Sequence, residues 1–469
     1  MRPTQLSSIL IALAIGGCAH IPKDAVQQPA PDFARAQHAG EIKLARDGWP
    51  EARWWTSYHD AQLDALIERA LKDSPTLPVA AARLASARAA YGVDASRGGF
   101  EAGVEVGANR QRYSGNGLFP EPIGGNFYND VSVQLKAGYD FDWWGKNRAL
   151  VAAALGEVNA RQAELSQAEK TLAAAVAQSY FRLQVLWARA DNVQAMTDLQ
   201  RDVVADKAAR IAHGLANIDE QRNAERDLGA LGEQAAGLSA QAAREREVLR
   251  ALVGAGELPQ LAHRPLAGGV AGLPRQLGLD LLARRPDLQA ARWRVEASLG
   301  RVDASKAAFY PDINLAGAFG LDAVSIGRLL RPASRTMLIG SMIKLPLFDS
   351  SRLNAELGVA RAQRNEMIAD YNQAVMHAVG EVAAEGATLQ GLERQGAAHA
   401  ATREAAAALV ASATRRLNQG LADRGAVLQA KQALLRQEEI RLQQQDAELQ
   451  AEVALTKALG GGYTTTSIQ

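Results

Sequence analysis

Apolar and polar positions alternate along this chain with two different periods. Val131, Val133, Leu135, Ala137, Tyr139 and Phe141 alternate with Ser132, Gln134, Lys136, Gly138, Asp140 and Asp142. That is a strand with one apolar and one polar face. A weaker alternation at Val104, Val106 and Ala108 precedes it, and the pattern returns at Ile313, Leu315, Gly317 and Phe319, then at Ile339, Ile343, Leu345 and Leu347. Four strands of roughly ten residues are expected. The first two are joined by Ser114 to Asn129, a stretch rich in Gly and Pro and too long for a tight hairpin turn.

Elsewhere the pattern is helical. From Asp349 to Gly420 no proline interrupts a run rich in Ala, Gln, Glu and Arg, and a second run leads on to Gly460. At ~1.5 Å per residue the first is on the order of 100 Å long, several times an average helix. Leu428, Leu435, Leu442 and Leu449 recur every seventh residue, the seam of a helix packed lengthwise on another. The turn between the runs falls at Asn418-Gln419-Gly420, where glycine supplies a left-handed cap. After Trp143-Trp144-Gly145 a matching helix runs to Gly214, with small faces at Ala152-Ala153-Ala154 and Ala173-Ala174-Ala175. Its return to Gly254 carries an apolar seam at Ala224, Leu228, Leu231, Ala235, Leu238, Ala242, Leu249 and Leu252. Two shorter amphipathic helices come first, Ala61 to Lys72 behind an Asp60 cap and one from Pro75 to about Ser96. Trp49, Trp54 and Trp55 are expected in the core.

The chain repeats itself. Sliding Gly214-Leu215-Ala216 onto Gly420-Leu421-Ala422 also places Gly254 on Gly460, and Ala224, Leu228, Glu233 and Leu249 on Ala430, Leu434, Glu439 and Leu455. Val93-Asp94-Ala95-Ser96 recurs as Val302-Asp303-Ala304-Ser305. One large unit is built twice. The expected organisation is a first repeat over 60–254, a linker over 255–275 with three prolines, a second repeat over 276–460 and a tail over 461–469.

Ten alternating residues match a tilted strand crossing a bilayer, where open edges are not tolerated. Four strands do not close a barrel, whereas three chains contributing four each make twelve and leave no edge. Tyr139, Phe141, Trp143, Trp144 and Phe348 fall at strand ends, where aromatic girdles sit. The competing reading is a soluble sandwich with one wet face. A sandwich leaves helices of ~100 Å without a role.

Composition sharpens this only at the N-terminus. The 469 residues are 48% apolar and 22% charged with net charge +1, which gives no electrostatic footprint for nucleic acid. Arg2, the apolar run Ile9 to Ile15 and Gly16-Gly17-Cys18 form a signal peptide over 1–17. Cys18 is the only cysteine, so no intramolecular disulfide exists. Its setting resembles a bacterial lipobox, which implies lipidation at Cys18. Ala19 follows, in place of the Asp that tends to retain such proteins in the inner membrane. A lipid-anchored, extended segment over 18–59, facing the periplasm from the outer membrane, is expected.

Specific segments carry a wider resemblance. They are Asp60-Ala61-Gln62-Leu63-Asp64-Ala65-Leu66-Ile67, Leu282-Ala283-Arg284-Arg285-Pro286-Asp287-Leu288, Phe309-Tyr310-Pro311, and Leu345-Pro346-Leu347-Phe348-Asp349 with Arg352-Leu353. The chain resembles TolC-type outer-membrane efflux factors, in the lipid-anchored branch called the NodT family. Asp47-Gly48-Trp49-Pro50, Phe319-Gly320-Leu321-Asp322-Ala323 and Gly460-Gly461-Gly462-Tyr463 look most like members serving aromatic-acid and fusaric-acid exporters. The resemblance implies an α+β membrane protein: a homotrimer with a twelve-stranded β-barrel continued by a periplasmic α-helical barrel. It implies passive conduction of small toxic compounds from an inner-membrane pump through a periplasmic adaptor.

In that family the tunnel closes, and the adaptor docks, at the hairpin tips. Here these are Gly214, Leu215, Asp219 and Glu220, with Gly420, Leu421, Asp423 and Arg424. Many relatives carry an aspartate where this chain has Gln429, within Leu428-Gln429-Ala430-Lys431-Gln432. No catalytic residue, metal site or cofactor is expected. The seven histidines form no His-Glu-x-x-His pattern and no Gly-x-Ser-x-Gly occurs. The alternatives are a conduit for type I protein secretion and a lipid-anchored coiled-coil scaffold without a pore.

Overall fold

A computed structural model of the chain describes residues 21–24, 48–254, 256–265, 272, 280–346 and 348–464. The expected signal peptide, Cys18, most of the 18–59 segment, much of the 255–275 linker, Leu347 and the end of the tail lie outside the described residues. In order, the longer elements are α1 (Ala61–Asp73), α2 (Leu77–Ser96), β1 (Gly99–Arg112), β2 (Phe127–Asp140), α3 (Lys146–Ala212) and α4 (Ile218–Val253). There follow α5 (Asp280–Arg284), α6 (Pro286–Ala307), β3 (Asp312–Ala323), α7 (Ile326–Leu329), β4 (Arg335–Lys344), α8 (Ser350–Asn418) and α9 (Arg424–Ala458). Two compact units share these residues: 21–24, Leu84–Arg161 and Ala291–Tyr371 in one, and the described parts of 48–83, 162–290 and 372–464 in the other.

The first unit holds all four expected strands in one antiparallel sheet of order β1-β2-β3-β4. Its register aligns the apolar positions. Val104 faces Leu135, which faces Phe319, which faces Met337; Val106, Val133 and Leu321 form the next row, which ends on Arg335 at the first residue of β4. Because side chains alternate faces, these rows give a single apolar face spanning all four strands. Glu105, Gln134 and Lys136 lie on the other face, where Lys136 and Glu105 pair at 2.5 Å. The apolar face is exposed in the single chain, at 68% for Val104, 57% for Phe319 and 75% for Met337. Gly320 is required where it stands, since a Cβ there would meet the Val133 carbonyl oxygen at 2.2 Å. Leu345, expected in the fourth strand, lies beyond its end at Lys344. The partner strand supplies the reason: β3 begins at Asp312 opposite Lys344, directly after Pro311, which has no N–H to offer.

Aromatic side chains gather at that end of the sheet. Tyr139, Phe141 and Trp143 form a ring-to-ring chain, and Trp144 stacks on Tyr310 at 4.5 Å while donating to the Pro311 carbonyl. Beside them α3 and α6 cross closely. A Cβ on Gly300 would lie 2.7 Å from the Ala149 carbonyl oxygen, and one on Gly156 would lie 3.0 Å from Ala297.

The second unit is a helical bundle. Asp60 caps α1, accepting from the Gln62 and Leu63 amides, and Leu63, Leu66, Ile67 and Ala70 are buried on one face. Each large side chain buried this way contributes roughly 1.5–3 kcal/mol. They join Trp54, Trp55, Tyr180, Leu183, Leu249 and Leu449 in one core. The seam of α9 is as read, with Leu428, Leu442 and Leu449 buried and Leu435 half-buried. α2 departs from expectation. It starts at Leu77, leaving Pro75 outside and Pro78 in its first turn, and Leu84 is its only buried residue, so it shows no buried stripe within one chain. Among the described residues no helix is long and apolar enough to cross a membrane.

Candidate functional site

Both hairpin tips are built by the same backbone device. At the end of α3, Gly214 takes φ 71°, its N–H donating to the Ile211 carbonyl while the Leu215 N–H reaches back to Arg210. At the end of α8, Gly420 takes φ 70°, donating to Leu417, while Leu421 reaches back to Arg416. Each is a Schellman cap, which satisfies the last helical carbonyls and demands the left-handed region. Leu215, Ile218 and Leu421 stand exposed beside these turns.

The next helices start on equivalent caps. The Asn217 side chain accepts from the Asp219 amide, and the Asp423 side chain accepts from the Ala426 amide. Here the two tips diverge in charge. Asp423 also pairs with Arg210 near the end of α3, and Arg210 pairs at 3.1 Å with Asp206, one turn earlier. Arg424 pairs with Asp202 at 3.3 Å. Two ion pairs therefore bind the first hairpin to the second at their tips. The Arg210 hydrogen bond holds the Asp423 carboxyl below the usual aspartate range, and Asp423 raises Arg210 in return.

Further along, the same two helices meet through polar groups at lower exposure. Gln432 bonds Gln200 at 2.5 Å, Asn192 donates to the Leu435 carbonyl at 3.2 Å, and Arg189 pairs with Glu439 at 2.7 Å. Gln450 donates to the Gln178 carbonyl at 3.0 Å. α3 and α9 are thus joined by a polar seam that ends in the tip ion pairs.

Of the tip residues expected from sequence, Asp423 and Arg424 enter this cross-hairpin clamp. Glu220 pairs instead with Lys207 within the first hairpin at 2.5 Å, and that hydrogen bond lowers its pKa. Asp219 gives its amide to the cap and leaves its side chain exposed. Gln429 is exposed on the first turns of α9. Sequence reasoning missed Asp202, Asp206 and Arg210. Their spacing of four residues puts all three on one helical face, and that was the available signal. Among the described residues no group of His, Cys, Asp and Glu is arranged to hold a metal ion.

A family model described as "Outer membrane efflux protein" matches residues 66–255 and 277–461, one match in each half of the duplicated sequence. The chain is 37% identical over 482 residues to the multidrug resistance outer membrane protein MdtP of Escherichia coli strain K12, covering 98% of this chain and 97% of that protein. Its fold is similar to the crystal structure of the outer membrane protein VceC from Vibrio cholerae, with TM-score 0.79, 31% identity, and coverage of 88% of this chain and 100% of that one. The outer-membrane channel OprN superposes with TM-score 0.82 over 95% of this chain and 99% of its own, at 24% identity.

Proposed function

This chain belongs to the outer membrane efflux protein family, and from that premise we propose how it works as the outer-membrane channel of a tripartite efflux system. Three copies join edge to edge, β4 of one beside β1 of the next, and close a twelve-stranded barrel continued by a helical barrel in the periplasm. The observation that carries this reading is the sheet. It has one apolar face across four strands, and its outer strands β1 and β4 each pair on one side alone among the described residues. Lipid solvates the apolar face, and only closure satisfies the edges.

Family members are efflux channels and not enzymes. A conduit acts through the residues that line and close it, so this chain performs no covalent chemistry. An inner-membrane pump and a periplasmic adaptor deliver small toxic compounds, in keeping with the multidrug names of its relatives. The adaptor docks on the Gly-Leu-Ala turns at Gly214 and Gly420, where Leu215 and Leu421 are exposed. The pairs Asp423–Arg210 and Arg424–Asp202 hold the two hairpins of one protomer together and must separate for the bore to widen. Cys18 is lipidated and anchors the chain to the outer membrane from the periplasmic side.

Purified protein tests the pore directly. Detergent-extracted trimers fused to a planar bilayer should give discrete conductance steps, and a water-soluble monomer without conductance would overturn the reading. A deletion strain should become sensitive to small toxic compounds while its secreted proteins stay unchanged.

A further inference from the structure

Arg364 of α8 is among the largest fully buried side chains in the protein. A buried guanidinium needs a counter-charge, and its partner comes from the other end of the sequence. Arg364 donates to both carboxylate oxygens of Asp24, Nη1 to Oδ2 at 2.6 Å and Nη2 to Oδ1 at 3.0 Å. One helical turn earlier Arg361 donates to the Pro22 carbonyl at 2.7 Å and the Lys23 carbonyl at 3.2 Å, and its Nε lies 3.4 Å from Asp24 Oδ1. Ile21 packs on the cluster of Val302, Phe309, Leu353, Leu357 and Ala360. Two arginines and an apolar socket make a built receptor for four residues of chain, which present to it two carbonyls, a bidentate carboxylate and the Ile21 side chain.

We propose that Arg361 and Arg364 form a latch for Ile21–Asp24 that delivers the lipid-bearing N-terminus to the helix end of the sheet. From Asp24 back to Ile21, the contacts move along α8 from Arg364 toward Leu353, that is, toward the end of β4 at Lys344. Cys18 precedes Ile21 by three residues, a reach of at most about 11 Å. The anchor is thereby confined to the level of the aromatic residues Tyr139, Phe141 and Trp143, where strand gives way to helix. Asp24 has its pKa lowered, chiefly by the Arg364 hydrogen bond, as a seated carboxylate should. The delivery step rests on the lipidation of Cys18 proposed above; the latch itself does not.

Trypsin at Lys23 reads the latch, because the Lys23 carbonyl is engaged by Arg361. Full-length trimer in detergent is digested in parallel with Asp24→Asn and Arg361→Met/Arg364→Met, and the released N-terminal fragment is followed by mass spectrometry. Loss of the pairs should speed cleavage on the order of ten-fold or more, since local opening governs proteolysis. Asp24→Glu, which keeps the carboxylate and adds no basic residue, should stay slowly cleaved. Every rate is divided by that of the same variant unfolded, which removes the effect of residue 24 on the bond itself. Asp24 is partly exposed, so Asp24→Asn keeps the test informative should the arginine variants fail to fold. Palmitate labelling of Cys18 is measured on the same samples. Labelled protein cut equally fast in wild type and Asp24→Asn overturns the latch alone, whereas unlabelled Cys18 overturns delivery of a lipid even when Lys23 is protected.

Discussion

Replacing Asp423 by Asn and Arg424 by Gln should open the tips without unwinding them. Asn already caps the equivalent helix at position 217, so the first change removes the charge opposite Arg210 and leaves the start of α9 capped. The second removes the pair with Asp202. In a trimer the two changes delete six ion pairs. All lie at the surface, where one pair shifts an equilibrium by a factor of only about two. If the six release together, the factors compound to about sixty-fold in open probability, a change that single-channel recording in planar bilayers resolves easily. Salt separates this from a packing defect. Raising ionic strength from 0.15 M to 1 M shortens the screening length from about 8 Å to about 3 Å, so wild type should open more often in high salt and the double variant should not respond.

Acid gives a third arm. The Asp423 carboxyl is held below its ordinary value by Arg210. It therefore stabilises the clamp fully above about pH 3.9 and loses that contribution as pH falls through its depressed folded value. Wild-type opening should rise only in that acid window, through Asp423, while the variant lacks this component. Glu220, lowered by Lys207, sits within one hairpin and titrates alike in both proteins. A double variant that opens no more often than wild type at neutral pH and 0.15 M salt would refute the clamp.

Three further outcomes follow from named contacts. Gly460→Ala and Gly462→Ala would each set a Cβ 1.9 Å from a carbonyl oxygen, of Arg284 and Glu51 respectively, at positive φ, and should lower the melting temperature of the trimer by many degrees; Gly214→Ala, with the same backbone sign but nothing within 4 Å, should cost only about 1 kcal/mol. Val133→Arg places a charge on the apolar face and should cost roughly 2–4 kcal/mol of barrel stability, seen as loss of heat-resistant trimer, whereas Ser132→Arg on the other face should be tolerated. Asn217→Asp should lower open probability by adding a carboxylate at the second cap, and an unchanged conductance record would count against the symmetry it relies on.

Much of this architecture is legible in the sequence because it is local. Period-2 alternation located the strands, and the glycines at 214 and 420 fixed both turns through a backbone angle that other residues avoid. The Asp60 cap was readable for the same reason. What stayed hidden depends on distant pairing. Arg210 meets Asp423 across 213 residues and Arg364 meets Asp24 across 340, and nothing near either arginine marks its partner. α2 misled because its amphipathic pattern has almost nothing to bury against in one chain. The fourth strand ended early because its limit is set by Pro311 on the neighbouring strand.

Duplication explains both the likeness of the tips and their difference. The backbone of the cap is preserved in both halves, since Gly214 and Gly420 share their angles and hydrogen bonds. Arg210 and Arg416 hold equivalent places before them, but the residues they would address are no longer equivalent. Arg210 meets Asp423, whereas the position matching Asp423 in the first half is Asn217, which is neutral. Within the protomer the joint at Arg210 is ionic, and the matching positions in the other copy of the repeat are Arg416 and a neutral cap. A charge present at the cap of one copy and absent from the other makes the two tips unequal. If three copies close a ring, the joint at the neutral cap should separate first, and the ionic joint of Arg210 with Asp423 should set how far the opening proceeds.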